Sequence, residues 1–299
     1  MKHGKKLLAL LMALTLCALP LAGCTDEGEQ QEGNDVQQGG EQNGSDTLRD
    51  VTVILDYTVN TNHTGMYVAQ KLGFYEEQGL NVSIIEPADG VTPTLIATGK
   101  GDFGVSYQED VTYGRASEDP LPIKAIATLI QHNTSGILSR KGDGIDKPAG
   151  LTGKTYSTWD SPIELAMLEN VVNGDGGDFS QVTLIPNDIT DEPAALAANQ
   201  TDAIWVFQGW GGINADVEGV DCDYFAFSDI NPVFDYYTPV IIANNDYLAE
   251  NPDQAKAFME ATAKGYEFAA ENPDEAAQIL IDGDNTGSLK DAEDLVKKS

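Results

Sequence analysis

From residue 51 onward, short apolar runs alternate with amphipathic stretches. VTVILD, VSIIE, DFGVS, IKAIATLI and GILSR read as strands, and helices are predicted over residues 65–78, 91–98 and 110–117 between them. A second run of the same kind follows: KTYST, a helix over 162–172, VTLIP, a helix over 192–199, AIWVF and YFAF. Strands separated by helices read as βαβ units around mainly parallel sheets, so the fold class is α/β.

Two segments rich in Gly and Pro read as crossings between lobes: KGDGIDKPAGLTG at 141–153 and SDINPVFDYYTPV at 228–240. With these as a two-segment hinge, residues 49–142 and 239–299 form lobe 1 and residues 143–238 form lobe 2. Helices predicted over 252–271, 274–281 and 289–297 then pack on lobe 1. A ligand belongs in the cleft between two such lobes.

In open α/β sheets that cleft lies outside the carboxyl ends of the strands. Those ends carry Asp56 and Tyr57, then Tyr107 and Gln108, then His132 and Asn133, then Trp159, and finally Phe207 and Trp210. The turn after VTVILD adds Asn62 and His63, where a loop that only reversed the chain would be content with Gly and Pro. Asp56 can accept from an amine there, His63 can hydrogen-bond or stack, and Gly65 lets the next helix approach closely. Glu192 and Tyr236 complete the candidate set. Each residue also has a structural role open to it. Residues 56–64 suit an Asx turn and helix cap, Asp160 or Ser161 suits the cap of the helix from Pro162, Glu192 suits a helix dipole, and Tyr236 suits hinge packing.

None of these strand ends carries Lys or Arg, whereas a sulfonate, nitrate or phosphate site usually presents one. A flat neutral or cationic heterocycle fits better, stacked between rings and read at its edge by carboxylates and amides. An anion held by helix N-termini is the alternative. The formal net charge of −31 leaves no basic stripe for nucleic acid. Three histidines with no ligand-like spacing predict no metal site, and no cofactor is expected.

The N-terminus predicts the compartment. Lys2, Lys5 and Lys6 precede a short apolar run, and LAGC follows at residues 21–24. This resembles the bacterial lipoprotein signal, which implies cleavage after residue 23 and lipidation of Cys24. Residues 24–48 are so polar that a disordered acidic tether is expected. Removing the three signal lysines takes the charge from −31 to −34, and leaves Cys222 as the one cysteine that is neither cleaved nor lipidated. One thiol forms no internal disulfide.

LDYTVNTNHTGMYVAQKLGFYEEQGLNVSII, with GKGDFGVSYQED, QHNTSGILSR, GLTGKTYSTWDSPIE, DAIWVFQGW and DYYTPVIIANN, resembles bacterial substrate-binding lipoproteins of the family shared with fungal thiamine-pyrimidine synthases. That resemblance implies a type II periplasmic-binding-protein fold and a monomer, lipid-anchored outside the cytoplasmic membrane, that delivers solute to an ABC permease and its ATPase. The implied solute is an aminopyrimidine precursor of thiamine, of hydroxymethyl- or formylamino type. The family also includes riboflavin binders, and a sensor kinase could replace the permease. By motif the resemblance carries ligand contact onto Asp56, Tyr57, Asn62 and His63, and onto the rings of Tyr107, Trp159 and Trp210. Tyr57 stands where Trp is usual and Val59 where Pro is usual. The synthases carry a cysteine-rich iron motif, which one cysteine cannot supply, and no G-x-S-x-G nucleophile motif is present; the chain is therefore expected not to be an enzyme.

Overall fold

The computed structural model describes residues 48–87, 91–187 and 189–299. The signal, Cys24 and all but the last residue of the tether lie outside the described residues.

The first half of the folded chain contains β1 (Arg49–Ile54), α1 (Thr64–Lys71), α2 (Phe74–Glu77), β2 (Leu80–Ile85), α3 (Thr92–Ala97), β3 (Phe103–Ser106), α4 (Gln108–Ala116), β4 (Ile123–Thr128) and β5 (Ser135–Arg140). Next come β6 (Thr155–Thr158), α5 (Pro162–Gly174), β7 (Thr183–Pro186), α6 (Glu192–Ala197), β8 (Ala203–Phe207), α7 (Ile213–Glu218), β9 (Cys222–Ala226) and α8 (Phe227–Ile230). The chain closes with β10 (Val240–Asn244), α9 (Asn245–Glu250), α10 (Pro252–Glu271), α11 (Pro273–Gly283) and α12 (Glu293–Lys298).

The strands form two five-stranded sheets, ordered β2-β1-β3-β10-β4 and β7-β6-β8-β5-β9. Neither is mainly parallel as expected: β10 runs antiparallel to β3 and β4, and β5 antiparallel to β8 and β9. The antiparallel strand in each sheet is the one that follows a crossing between lobes, which reverses its entry direction.

The first crossing is also displaced from its expected place. GILSR was expected in lobe 1, but β5 pairs with β8 and β9, so the chain leaves the first sheet after Thr128 and enters the second at Ser135. Residues 141–153 instead fold inside lobe 2, where Ile145 and Leu151 enter the core and Gly142, Gly144 and Gly153 take positive φ in turns. The Gly and Pro content that suggested a linker serves these turns. The second crossing ends where β10 rejoins the first sheet at Val240.

Both faces of the central strands are covered, which explains their unbroken apolar runs. On β1 and just beyond it, Val51, Val53 and Leu55 face one core and Ile54 faces another. On β8, Ala203 and Trp205 face one core while Ile204 and Val206 face the other. In lobe 1 the larger core is completed by α10, α11 and α12 through Phe258, Ala261, Ala276, Leu280 and Val296. Phe258 stacks on Phe103 with centroids 4.0 Å apart and on Tyr75 at 5.5 Å.

Helices α1 and α10 cross closely. A Cβ on Gly265 would lie 2.0 Å from the Gly65 carbonyl oxygen, and one on Gly65 would lie 2.2 Å from the Tyr266 ring. Gly265→Ala is therefore expected to lower unfolding stability by about 1–3 kcal/mol, because the obstacle is backbone. That loss outweighs the roughly 1 kcal/mol of helix propensity gained. Urea denaturation checks it, and an unchanged midpoint would mean the two helices part without cost.

Candidate functional site

The turn after β1 is built inward. Asn60 caps a 3-10 turn at Thr61–His63, accepting from the Asn62 N–H at 3.0 Å, while the Asn60 N–H donates to His63 Nδ1 at 3.2 Å. That acceptor role leaves the proton on Nε2, which donates to Asp56 Oδ1 at 2.7 Å. The Tyr107 hydroxyl also donates to Asp56. Burial pushes the Asp56 carboxyl up, but the hydrogen bonds it accepts from His63 and Tyr107 outweigh that and hold the group below its usual range. Burial and the Asp56 charge push the Tyr107 phenol well above its usual value. Tyr266 on α10 fixes the same turn by donating to the Asn62 carbonyl at 2.7 Å.

This geometry corrects two expectations. His63 has no exposed surface and both ring nitrogens are engaged, so it presents no edge to a solute and positions Asp56 instead. Asp56, with a side chain only 3% exposed, is likewise committed to His63 and Tyr107. The Asn and His content of the turn is largely accounted for by capping. Tyr57 and Asn62 lie in it, both half-buried.

Other predicted residues do converge. Tyr107, after β3, and Phe207, ending β8, come from opposing lobes and stack with centroids 5.7 Å apart and planes 11° apart. Gln108 Oε1 accepts from the Tyr237 N–H at 3.2 Å, tying α4 to the second crossing. Tyr236 beside it donates to Glu109. Trp210 leaves the lobe-2 sheet in a π-helical turn at Gln208–Gly212 and packs against the core of lobe 1. Glu192, at the start of α6, lies next to that turn, for a Cβ on Gly211 would come within 3.5 Å of its carboxyl carbon. Trp159 is half exposed and tilts over Trp205, which is buried in the lobe-2 core. Two concavities of about 420 Å³ border this region. One lies between Tyr113 of α4 and Met167 of α5, with Phe234 as a wall, and the other lies beside Trp159 and Asn187.

His132 and Asn133 hold the hinge. The Asn133 amide accepts from the Ser135 N–H at 2.9 Å and donates to the Phe234 carbonyl at 3.0 Å, which spends the side chain on joining the crossings. His132 pairs with Asp235 at 3.0 Å on an exposed surface, where such a pair contributes little stability. Asn133 is thus corrected from solute contact to hinge tie.

Four acidic residues were missed. Glu109 and Asp110 follow Gln108 on α4; burial raises Glu109 to about 7 and Asp110 to about 6, with the Asp56 charge adding to the latter. Glu192, which was expected, is also raised to about 7 by burial and by the charges of Asp191 and Glu218. Among the described residues, no lysine or arginine ion pair involves Asp56, Glu109, Asp110 or Glu192. Asp235 was passed over within the hinge segment. Glu164 is the fourth, and its signal was S-P-I-E, a capping-box spacing. Of the two cap candidates Ser161 is the cap, whereas Asp160 takes φ 60.

A sequence profile described as NMT1/THI5 like matches residues 60–276. The formylaminopyrimidine-binding protein of Halalkalibacterium halodurans is 32% identical over 246 residues, covering 79% of this chain and 71% of that protein. A 4-amino-5-hydroxymethyl-2-methylpyrimidine phosphate synthase of Legionella pneumophila is 25% identical over 240 residues, covering 77% of this chain and 72% of the enzyme. Among solved structures, the alkanesulfonate-binding protein of Xanthomonas axonopodis pv. citri bound to MOPS superposes with a TM-score of 0.61 at 13% identity, over 84% of each chain. Two lobes with mixed sheets, a hinge of two crossings and a profile match over most of the folded residues have one common reading: the chain belongs to the NMT1/THI5-like family and has the type II periplasmic-binding-protein fold.

Proposed function

We infer that this chain is an extracytoplasmic solute-binding protein that captures an aminopyrimidine related to thiamine and passes it to an ABC importer. The observation that carries the reading is the Tyr107–Phe207 pair, two rings from opposing lobes stacked at the strand ends amid carboxylates and without a paired cation. Identity to a formylaminopyrimidine-binding protein supports the same solute class. Binding is favoured over synthesis because the three cysteines of the sequence, Cys17, Cys24 and Cys222, do not form a cysteine-rich iron motif. The alkanesulfonate-binding neighbour carries the fold argument only.

A planar solute between Tyr107 and Phe207 needs about 7 Å between ring planes, two stacking layers. Capture therefore parts the lobes at this point or slides one ring off the other, because rings with centroids 5.7 Å apart leave no room for a third layer. Hinge motion and occupancy are coupled in this way, giving a permease a shape to recognise. Lipidation of Cys24 would keep the protein beside that permease.

Titration calorimetry with 4-amino-5-hydroxymethyl-2-methylpyrimidine, its formylamino relative, riboflavin and an alkanesulfonate tests the reading. Saturable binding of an aminopyrimidine is expected, weakened about 3- to 10-fold in Phe207→Ala. Heat from riboflavin or the sulfonate alone would overturn it.

A further inference from the structure

Asp56 was expected to read an amino group, yet it is already committed inside lobe 1. Glu109 is placed to do so. It lies in the first turn of α4, two residues beyond the Tyr107 ring, and accepts the Tyr236 hydroxyl. Its Oε2 is buried and, among the described residues, has no hydrogen-bond partner. Two further buried hydroxyls without partners among the described residues, Ser106 and Thr238, each 1% exposed, sit near the facing ends of the paired strands β3 and β10. Unsatisfied polar atoms are rare in protein interiors; Ser106, Glu109 and Thr238 lie together here, while others, such as Trp205 Nε1, Asn245 Oδ1 and the Tyr247 hydroxyl, lie elsewhere.

Two routes connect Glu109 to the concavity between α4 and α5. Tyr236 Oη lies 3.5 Å from Met167 Sδ, and Met167 lines that concavity. Tyr113 lines it as well, one helical turn beyond Glu109 on the same face of α4. The carboxylate is thus separated by Tyr236 and Tyr113 from a groove whose walls are mostly apolar and aromatic, and does not itself line it.

We propose that Glu109 is a specificity-determining residue whose unshared Oε2 accepts a hydrogen bond from the amino group of a heterocyclic solute. The proposal rests on the aminopyrimidine reading and assigns the group that distinguishes amino from oxo heterocycles. An oxo group at that position would set one acceptor against another, a mismatch that sites built around a hydrogen bond reject strongly. The groups facing Glu109 are Tyr236 from the second crossing and Asp110 from its own helix, the one lowering and the other raising its proton affinity. Ionised Glu109 is the better acceptor, so affinity for the amino solute rises with pH across neutrality.

The test is titration calorimetry of the full chain with 4-amino-5-hydroxymethyl-2-methylpyrimidine and its 4-oxo counterpart, from pH 6 to pH 8, in wild type, Glu109→Gln and Tyr236→Phe. Wild type is expected to prefer the amino compound. Glu109→Gln should weaken amino binding about 10- to 100-fold and collapse the amino-to-oxo ratio. Tyr236→Phe removes a donor competing for Glu109, so it should keep that ratio while moving the pH midpoint of affinity upward. An unchanged ratio in Glu109→Gln, or an unmoved midpoint in Tyr236→Phe, overturns the proposal while the aminopyrimidine reading stands. Failure of wild type to bind the amino compound brings down both.

Discussion

Replacing His63 by Ala is expected to cost about 3–5 kcal/mol of unfolding free energy, because it leaves the Asp56 carboxylate buried without its main partner. The pair has no solvent to fall back on: the His63 side chain is fully buried and Asp56 is 3% exposed. Asn60 loses the acceptor of its N–H at the same time. The pH dependence has a definite sign. The folded-state Asp56 value lies below the ordinary 3.8, so its contribution is present above the unfolded value and lost as pH falls through the folded one. Glu109 and Glu192 act in the opposite sense, since raised values near 7 mean the folded protein holds protons that the unfolded chain releases above about 4.5. Stability therefore falls as pH rises from that unfolded value toward 7, and the optimum lies in mildly acidic solution. Urea denaturation of wild type and His63→Ala across pH 3 to pH 8 checks both statements. A His63→Ala protein as stable as wild type at pH 6 would remove the His63–Asp56 hydrogen bond from the account.

A polar turn after a strand looks the same in sequence whether it faces a cleft or a core. Here its direction is decided by α10, whose Gly265 sits against α1 and whose Tyr266 holds the Asn62 carbonyl from 204 positions away. No local pattern carries that information. GILSR presents the same difficulty at the level of sheets, because an apolar run suits either lobe and only pairing with β8 and β9 assigns it. Local signals served better where a residue's place follows from its own strand. Tyr107 and Phe207 end central strands, and strands that end at a cleft deliver their terminal rings to it. Glu109 failed to stand out because an acid in the first turn of a helix is already explained by the helix dipole, and only its buried, unshared oxygen separates it from that ordinary role.

Glu164 governs the other wall of the cleft, and its removal is the second large effect. Its carboxylate accepts the Tyr156 hydroxyl at 2.7 Å, the Thr158 hydroxyl at 2.8 Å, the Trp159 N–H at 3.1 Å and the Ser161 N–H at 3.3 Å. All four donors belong to the end of β6 and the turn into α5, the turn that also holds Asp160 at φ 60. A non-glycine residue in that conformation costs about 1–2 kcal/mol and persists only where its surroundings fix it. Each buried donor left without an acceptor costs about 1–3 kcal/mol, although freed hydroxyls can rotate toward other partners. Glu164→Ala is therefore expected to lose at least about 3 kcal/mol and to release the Asp160 turn. Glu164→Gln keeps one acceptor but turns an amide donor toward other donors, so it should recover only part of that loss. The specific readout is Trp159, half exposed and 5.8 Å from Trp205. If Glu164 sets its position, near-ultraviolet circular dichroism of the two indoles changes in Glu164→Ala under conditions where the protein remains folded. An unaltered spectrum together with undiminished stability would mean that the Ser161 cap and Pro162 hold this wall by themselves, with the carboxylate a passive occupant.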